Sequence, residues 1–344
     1  MITYLTRRVL QAVLILAGLS VLFFALLHAQ PGGACAYILA TPSPNSQTRF
    51  NACIVSRGLD QPLPVQYLKW VGATLHLDLG QDYTGQAVID TIKLRLPATI
   101  ILIGLAYIVQ QIIAIPLGML GALKRYSFYD QVLTFLSYIG LSLPTFWLGL
   151  MLILFFSVNL PKLGWWPHVL AFPPGGIVSG DTLIPPFGTS DYWHYFAAHP
   201  GQTIGDLASH LVLPATTLAI IGIATDSRFM RAAMLDVIGL DYVRTARAKG
   251  LPPARVILKH ALRNALLPII TNVGLFIPTL ISGAIITETI FAWPGMGKYF
   301  IDAASQKDTN ALQAVLLLTA LFTLVGNLVA DLLYAAADPR IRYD

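Results

Sequence analysis

Residue types that carry enzymatic chemistry are scarce in this sequence. Only 11% of its 344 residues are charged, and two cysteines are too few to build a zinc or iron–sulfur site from thiolates alone. The sequence contains no GxxxxGK[ST] phosphate loop, no HExxH motif and no GxSxG motif. His210 and His260 are not spaced with other metal ligands. The sequence therefore predicts no catalytic site, no ATP site and no metal centre in this chain.

The densest group of functional side chains is the basic stretch 236–268, DVIGLDYVRTARAKGLPPARVILKHALRNALLP. Residues 241–249 favour a helix, and Gly250 is placed to end it in a left-handed conformation. Pro252 and Pro253 suit the first turn of a second helix. Its apolar residues recur at helical spacing: Val256, Ile257, Ala261, Leu262 and Ala265. The pattern predicts a helix, a sharp turn and a second helix, with basic side chains on the outer face.

Two functions suit such a basic stretch. A loop next to the membrane can attract anionic lipid, which requires only positive charge. A glycine and two prolines at a defined turn indicate instead a rigid projection that docks into a groove of a partner protein. We prefer the second interpretation because the turn residues serve no purpose in the first.

The remaining sequence consists mainly of apolar segments, since 56% of the residues are hydrophobic. A helix needs roughly 20 apolar residues to cross a bilayer, and six segments qualify. We therefore predict an all-α integral membrane protein with six transmembrane helices. The predicted spans are Val9–Leu27, Ala98–Leu120, Leu133–Val158, Leu207–Thr225, Leu266–Thr287 and Ala311–Leu333. A cleaved signal peptide is the alternative for the first segment, but its apolar stretch is longer than a usual signal sequence.

Lys and Arg predict the orientation, because short cytoplasmic loops of membrane proteins are enriched in them. They concentrate at the N-terminus, after the second and fourth predicted spans, and at the C-terminus. We therefore expect a multi-pass membrane protein with both termini in the cytoplasm. This distribution explains the net charge of +5 without nucleic-acid binding. The predicted division is a first helix with a sizeable extracytoplasmic region (1–96), a five-helix core (97–337) with a cytoplasmic loop at about 236–264, and a cytoplasmic tail (338–344).

Polar residues within the spans are candidates for a translocation path, because polar groups in a bilayer usually face a bundle interior or water. The candidates are Gln110, Gln111, Asn272 and Asn327. Each of them has the alternative role of hydrogen bonding to a neighbouring helix. Asp226 and Asp331, near the cytoplasmic ends, are expected to pair with nearby Arg, and Glu288 either packs in a gate region or accepts hydrogen bonds from a turn.

Cys35 and Cys53 both fall in the predicted extracytoplasmic region. Because that side is oxidising, a disulfide closing the loop between them is a reasonable expectation. The alternative, two unpaired loop cysteines, stays open because the sequence does not give their separation.

Several motifs resemble the dipeptide/oligopeptide branch of the permease subunits of ABC importers, and the resemblance covers nearly the whole chain. Residues 244–250, RTARAKG, resemble the EAA loop of these permeases, with Arg-Thr-Ala in place of Glu-Ala-Ala and the Gly retained. The flanking sequences YVRTARAKGL and HALRNALLP are typical of the branch. Further similar stretches are 4–8, 58–60, 79–83, 288–297, 331–334 and 338–342.

This resemblance implies a type I ABC importer permease fold and a division of labour. A second homologous permease would enclose the path, two cytoplasmic ATPase subunits would bind ATP and Mg, and an extracytoplasmic binding protein would deliver peptide. As an integral membrane protein, the chain would also contact membrane lipid. The residues implied to couple the permease to the ATPases are Arg244, Thr245, Ala246, Ala248, Lys249, Gly250, Leu251, Pro252 and Arg255.

Two other functions remain as alternatives. A secondary transporter or channel would work without ATPase partners, but it is expected to place acidic residues at mid-membrane and often contains an internal repeat. An ABC permease for a nickel complex, glutathione or a sugar would share the fold and differ only in its substrate.

Overall fold

The computed structural model describes residues 2–28, 35, 38–39, 44–57, 59–163, 171–180, 183–267, 269, 276–277 and 279–337. The described part of the chain is helical and has no named strand, only an isolated bridge between Gln81 and Ala87. The helices before the middle of the chain are α1 (Ile2–His28), α2 (Ser46–Arg57), α3 (Leu63–Leu75), α4 (Val88–Leu123), α5 (Phe128–Ser142) and α6 (Thr145–Leu152). Those that follow are α7 (Ser190–Ala198), α8 (Pro200–Ile238), α9 (Asp241–Ala248), α10 (Pro253–Arg255), α11 (Leu262–Ala265), α12 (Thr279–Ser282), α13 (Ile285–Ile290), α14 (Met296–Ser305) and α15 (Thr309–Ala337).

Five helical stretches among the described residues are long and apolar enough to cross a membrane. They are Thr6–Leu26, Val88–Leu123, Thr145–Lys162, Pro200–Ile238 and Thr309–Leu332. These stretches confirm an all-helical membrane protein. The predicted fifth span, 266–287, includes residues outside the described part of the chain, so the count of six stays a prediction.

The predicted third span, Leu133–Val158, is wrong as a single helix. The structure ends α5 at Ser142 and starts α6 at Thr145, with Leu143 in an extended conformation (ψ 122°). Proline disfavours the helical conformation in the residue before it, and Pro144 therefore breaks the helix at Leu143. A π-helical stretch, Ile153–Asn159, and a 3-10 turn, Leu160–Lys162, extend α6.

The two longest helices, α4 and α8, form the centre of the bundle. Glycines allow their backbones to approach, since a Cβ built at Gly118 would lie 2.6 Å from the Cβ of Met230 and 3.0 Å from the backbone nitrogen of Arg231. A Cβ at Gly121 would lie 3.3 Å from the Arg231 Cδ. Small residues at close helix crossings are typical of membrane bundles, in which dispersion contacts replace the hydrophobic effect as the driving force.

Two buried carboxylates join the segment before α4 to the last helices. Asp82 accepts hydrogen bonds from the Thr84 and Thr91 hydroxyls, at 2.5 and 2.8 Å. Burial disfavours its charged form, but these hydrogen bonds prevail and the pKa of Asp82 falls below its usual range. Asp308 accepts from the backbone N–H of Tyr83 at 2.6 Å and from that of Ala311 at 3.1 Å, in the first turn of α15.

The first helix is fixed to the last by an ion pair. Arg8 Nη2 lies 3.0 Å from Asp331 Oδ2, which confirms the expected pairing of Asp331 with a nearby arginine. Asp331 and Arg8 must lie at the same level of the bundle to make this contact. α3 packs against α1 through Phe24, whose ring centroid lies 5.4 Å from that of Tyr67 and 5.6 Å from that of Trp70.

The region after α1 contains a disulfide. The structure bonds Cys35 to Cys53, with a Cα–Cα distance of 6.1 Å and a sequence separation of 18. Cys53 lies in α2, so the bridge ties this helix to the chain that leaves α1.

We predict that this bridge forms in the cell and stabilises the region after α1. Closing a loop of this size is worth about 3 kcal/mol in the chain-entropy model. Thiol labelling of the intact, non-reduced protein should therefore find neither cysteine accessible until a reductant is added. Two thiols that react without reduction would show that the bridge is absent.

Candidate functional site

The basic stretch identified in the sequence folds as a helical hairpin, residues 241–265, that follows directly from the end of α8. Its first arm is α9. Its second arm runs without interruption from α10 through a π-helical stretch, Val256–Ala261, into α11. Val243 and Ala246 of the first arm bury their side chains against Val256 of the second, and Val237 and Leu251 cover this small core. The apolar residues at helical spacing thus hold the two arms together.

The turn between the arms depends on Gly250. Its φ of +75° confirms the left-handed conformation expected from the sequence. Residues with a Cβ rarely adopt this conformation, which glycine reaches at no steric cost. The N–H of Gly250 donates to the Arg247 carbonyl at 2.9 Å, and the N–H of Lys249 donates to the Thr245 carbonyl at 3.0 Å. A Cβ at Gly250 would meet no atom within 4 Å, so backbone conformation alone requires glycine here.

Polar contacts fix the angle between the arms. Asn264 Nδ2 donates to the Tyr242 hydroxyl at 2.6 Å, and that hydroxyl lies 3.4 Å from the backbone carbonyl of His260, to which it donates. Both contacts join the start of the first arm to the end of the second. The hairpin is therefore constrained at both ends, by Gly250 at the turn and by Tyr242 where the arms separate.

The predicted docking residues divide into two groups. Ala246 is buried and Leu251 is half-buried, so both belong to the core of the hairpin. The exposed residues are Arg244, Thr245, Ala248, Lys249, Gly250, Pro252 and Arg255. Leu258 was not among the predicted docking residues, and its side chain is 55% exposed on the second arm, beside the charges. This exposure agrees with the helical pattern, which leaves Leu258 out of the apolar face.

The predicted path residues do not converge on one site. Gln110 Nε2 donates to Asp226 Oδ2 at 2.6 Å, and Gln111 Nε2 donates to the same oxygen. Asn327 is exposed and lines a groove between α1 and α15. Asn272 lies outside the described residues. The expected pairing of Asp226 with an arginine is wrong, because the two glutamines of α4 are closer to it.

Glu288 accepts hydrogen bonds from a turn, which was one of the two roles expected for it from the sequence. Its fully buried carboxylate accepts from the Lys298 N–H at 3.0 Å, the Thr99 hydroxyl at 3.0 Å and the Ala284 N–H at 3.3 Å. Trp293 donates its indole N–H to the Ala98 carbonyl at 2.9 Å. The stretch 288–297 is therefore a packing unit that seats α13 and α14 against α4.

An ion pair between α5 and α8 was missed in the sequence. Arg231 Nε lies 2.6 Å from Asp130 Oδ1, and Arg231 Nη2 lies 2.7 Å from Asp130 Oδ2. The hydrogen bonds from Arg231 hold the pKa of Asp130 below its usual range, although burial opposes this. Partners 101 residues apart in the sequence cannot be recognised by spacing.

No group of three or more His, Cys, Asp and Glu side chains that could hold a metal ion occurs among the residues that the structure describes. The features found are long apolar helices, a rigid basic hairpin and buried polar contacts between helices. Together they define a helical membrane protein that carries a rigid basic projection.

The comparisons with known proteins agree with this class. The family described as binding-protein-dependent transport system inner membrane component matches residues 114–343, and its N-terminal membrane component matches residues 1–103. This chain belongs to the binding-protein-dependent transport system inner membrane component family. It is therefore the permease component of an ABC importer and not an enzyme.

Curated relatives match over their full length. The oligopeptide transport system permease protein AppB of Bacillus subtilis is 42% identical over 345 residues, covering 100% of both chains. The di/tripeptide transport system permease protein DppB of Pseudomonas aeruginosa is 39% identical, covering 100% of this chain and 99% of the relative. The dipeptide transport system permease protein DppB of Escherichia coli K12 is 38% identical with the same coverage.

Proposed function

We propose that this chain is the permease subunit of an ATP-driven importer that moves di- and oligopeptides into the cytoplasm. The observation that carries the proposal is the hairpin 241–265, a rigid basic projection on a chain of this transport family. The peptide substrate is supported by the names of the relatives, which describe oligopeptide, di/tripeptide and dipeptide transport.

The hairpin would couple the chain to ATP hydrolysis. Two cytoplasmic ATPase subunits bind ATP and Mg, and one of them receives the turn around Gly250 in a surface groove. Closure of the ATPase pair then displaces the hairpin as a rigid body. Because the second arm is anchored to α8 through a shared apolar cluster that includes Met230, Met234, Ala261 and Ala265, this displacement reaches the centre of the bundle.

The other partners complete the path. A second homologous permease faces this chain, and an extracytoplasmic binding protein delivers the peptide. Gln110, Gln111, Asn272 and Asn327 stay candidates for path-lining residues. The buried contact of the two glutamines with Asp226 favours a structural role for them in the state described here.

We expect both termini, the hairpin and the Lys124–Arg125 turn in the cytoplasm of a bacterial cell with an inner membrane. A reporter enzyme fused after Asp344 should then be active only if it works in the cytoplasm. A reporter inserted near Pro185 should be active only if it works outside. Activity of both reporters on the same side would contradict the six-span topology.

Purification and uptake together test the function. The tagged chain, solubilised from its native membrane, should co-purify with ATPase subunits and a second permease, and its deletion should abolish uptake of a labelled dipeptide. Isolation without an ATPase would favour a secondary transporter or channel. Co-purification with normal peptide uptake in the deletion strain would indicate a nickel complex, glutathione or a sugar as substrate.

A further inference from the structure

A pocket lined by both polar and apolar side chains lies between α5 and α8, away from the hairpin. Its volume is about 470 Å³. Apolar side chains, including Leu141 and Phe229, form part of its wall. Its polar lining consists of Thr134, Tyr138, Thr225, Arg228 and Arg231.

The packing of α4 on α8 gives the position of the pocket along the bundle. Gly121 is in the last turn of α4, and a Cβ built on it would touch the side chain of Arg231. Arg231 therefore lies against this last turn. α4 ends at Leu123, and Lys124 and Arg125 follow in the turn to α5. Arg228 precedes Arg231 by three residues and so lies about 4.5 Å deeper along α8. α8 continues beyond Arg228 to Ile238, where the hairpin follows, so the pocket lies in the half of α8 next to the hairpin.

The two arginines of the pocket differ in their charge balance. Arg231 is held by both oxygens of the Asp130 carboxylate. Arg228 is exposed, and its guanidinium carbon lies 4.6 Å from the ring centroid of Tyr138. Within the described part of the chain, no carboxylate forms an ion pair with Arg228. The pocket therefore presents a positive charge that a neighbouring anion can neutralise.

We propose that this pocket binds the phosphate of an anionic phospholipid from the leaflet next to the hairpin. Arg228 contributes a charged fork that fits two phosphate oxygens. The Tyr138 ring holds the guanidinium in place from the opposite side. Tyr138 and Phe229, which line the pocket, are exposed and provide an apolar surface for the acyl chains. The positive charge, the place of the pocket on the hairpin side of a membrane-spanning helix and the apolar surround thus match one ligand, a diacyl lipid with net negative charge.

Lipid retention by the assembled importer tests the proposal. The complex is purified from membranes, reconstituted in nanodiscs containing phosphatidylglycerol and phosphatidylcholine, extracted with mild detergent and examined by native mass spectrometry. The wild type should keep a bound phosphatidylglycerol and discriminate against phosphatidylcholine. Arg228→Gln should lower this retention at least about fivefold, the size expected for one Arg at the lipid surface. Tyr138→Phe keeps the aromatic ring and should bind as the wild type does.

Arg49→Gln is the matched control, since it removes one exposed positive charge from α2, in the region after α1. It should retain lipid as the wild type does. Equal phosphatidylglycerol retention by the wild type and Arg228→Gln would overturn the proposal. It would also fall if Arg228→Gln kept its lipid but raised the KM for peptide uptake, because the pocket would then take a substrate carboxylate. Neither result would affect the assignment of the chain as a permease, which co-purification with the ATPases tests separately.

Discussion

Gly250→Val should yield a permease that inserts into the membrane and assembles but no longer transports. The substitution forces a β-branched residue into a φ of +75°, which costs an L-residue about 1–2 kcal/mol or more. The turn relaxes toward negative φ, and the second arm of the hairpin changes direction relative to the first. If the turn docks in an ATPase groove as proposed, ATP hydrolysis by the complex should lose its response to loaded binding protein. The measurements are substrate-stimulated ATPase activity and peptide uptake in proteoliposomes.

Gly250→Asn separates conformation from bulk. Asparagine tolerates the left-handed region better than other non-glycine residues, and its side chain would enter open space. This variant should retain most of the coupling that valine abolishes. Lys124→Ala, in the other basic turn, should leave both activities close to wild type. Wild-type coupling in Gly250→Val would reject the docking role and return the hairpin to the lipid-attraction interpretation.

We expect the charge of the turn to contribute less than its shape. Arg255 is exposed at the start of the second arm, and in the proposed complex it would pair with an acidic residue of the groove. Arg255→Glu should weaken docking by reversing that pair, and the defect should shrink as salt is raised, because screening reduces the repulsion. A defect that does not depend on salt would mean that Arg255 acts through packing.

Local features of the fold were accessible from the sequence. Gly250, followed by two prolines and an apolar helical repeat, determines the hairpin through interactions between residues close in the chain, and the structure has the predicted turn. Hydropathy located the two longest spans but not their ends, since the structure extends Ala98–Leu120 to Val88–Leu123 and Leu207–Thr225 to Pro200–Ile238. The break at Leu143 was also readable in principle, because Pro144 restricts the residue before it, but the apolar run across it concealed the interruption.

Contacts between distant segments could not be predicted in the same way. Asp226 binds Gln110 and Gln111, more than 100 residues away in the sequence, and only the crossing of α4 on α8 brings them together. Because Asp226 is close to arginines in the sequence, an arginine was the expected partner. That expectation was wrong, since Arg228 lies on a different face of α8 and stacks on Tyr138. Asp331 does pair with an arginine, as expected, but the partner is Arg8, at the other end of the chain, and the sequence did not identify it.

Gly118→Ala should have the second large effect, a loss of stability, because Gly118 lies where α4 crosses α8. The added methyl group would lie 2.6 Å from the Met230 Cβ and 3.0 Å from the Arg231 backbone nitrogen, and closer still to the Ser227 carbonyl oxygen. Because two of these atoms belong to the backbone, no change of rotamer relieves the contact, and the helices must separate. Overpacking of this kind costs about 1–3 kcal/mol. The thermal midpoint of the detergent-solubilised chain should therefore fall.

Gly104→Ala is the matched control for this substitution, because Gly104 lies in the same helix and a Cβ there would meet no atom within 4 Å. Alanine favours a helix over glycine by up to about 1 kcal/mol, so this variant should melt at or above the wild-type temperature. The two variants carry the same chemical change and should shift the midpoint in opposite directions. Separation of α4 from α8 also loosens the Asp226 contacts one to two turns away, so Gly118→Ala should lower transport as well. Equal midpoints for Gly118→Ala and Gly104→Ala would show that the two helices do not cross as closely as the structure places them.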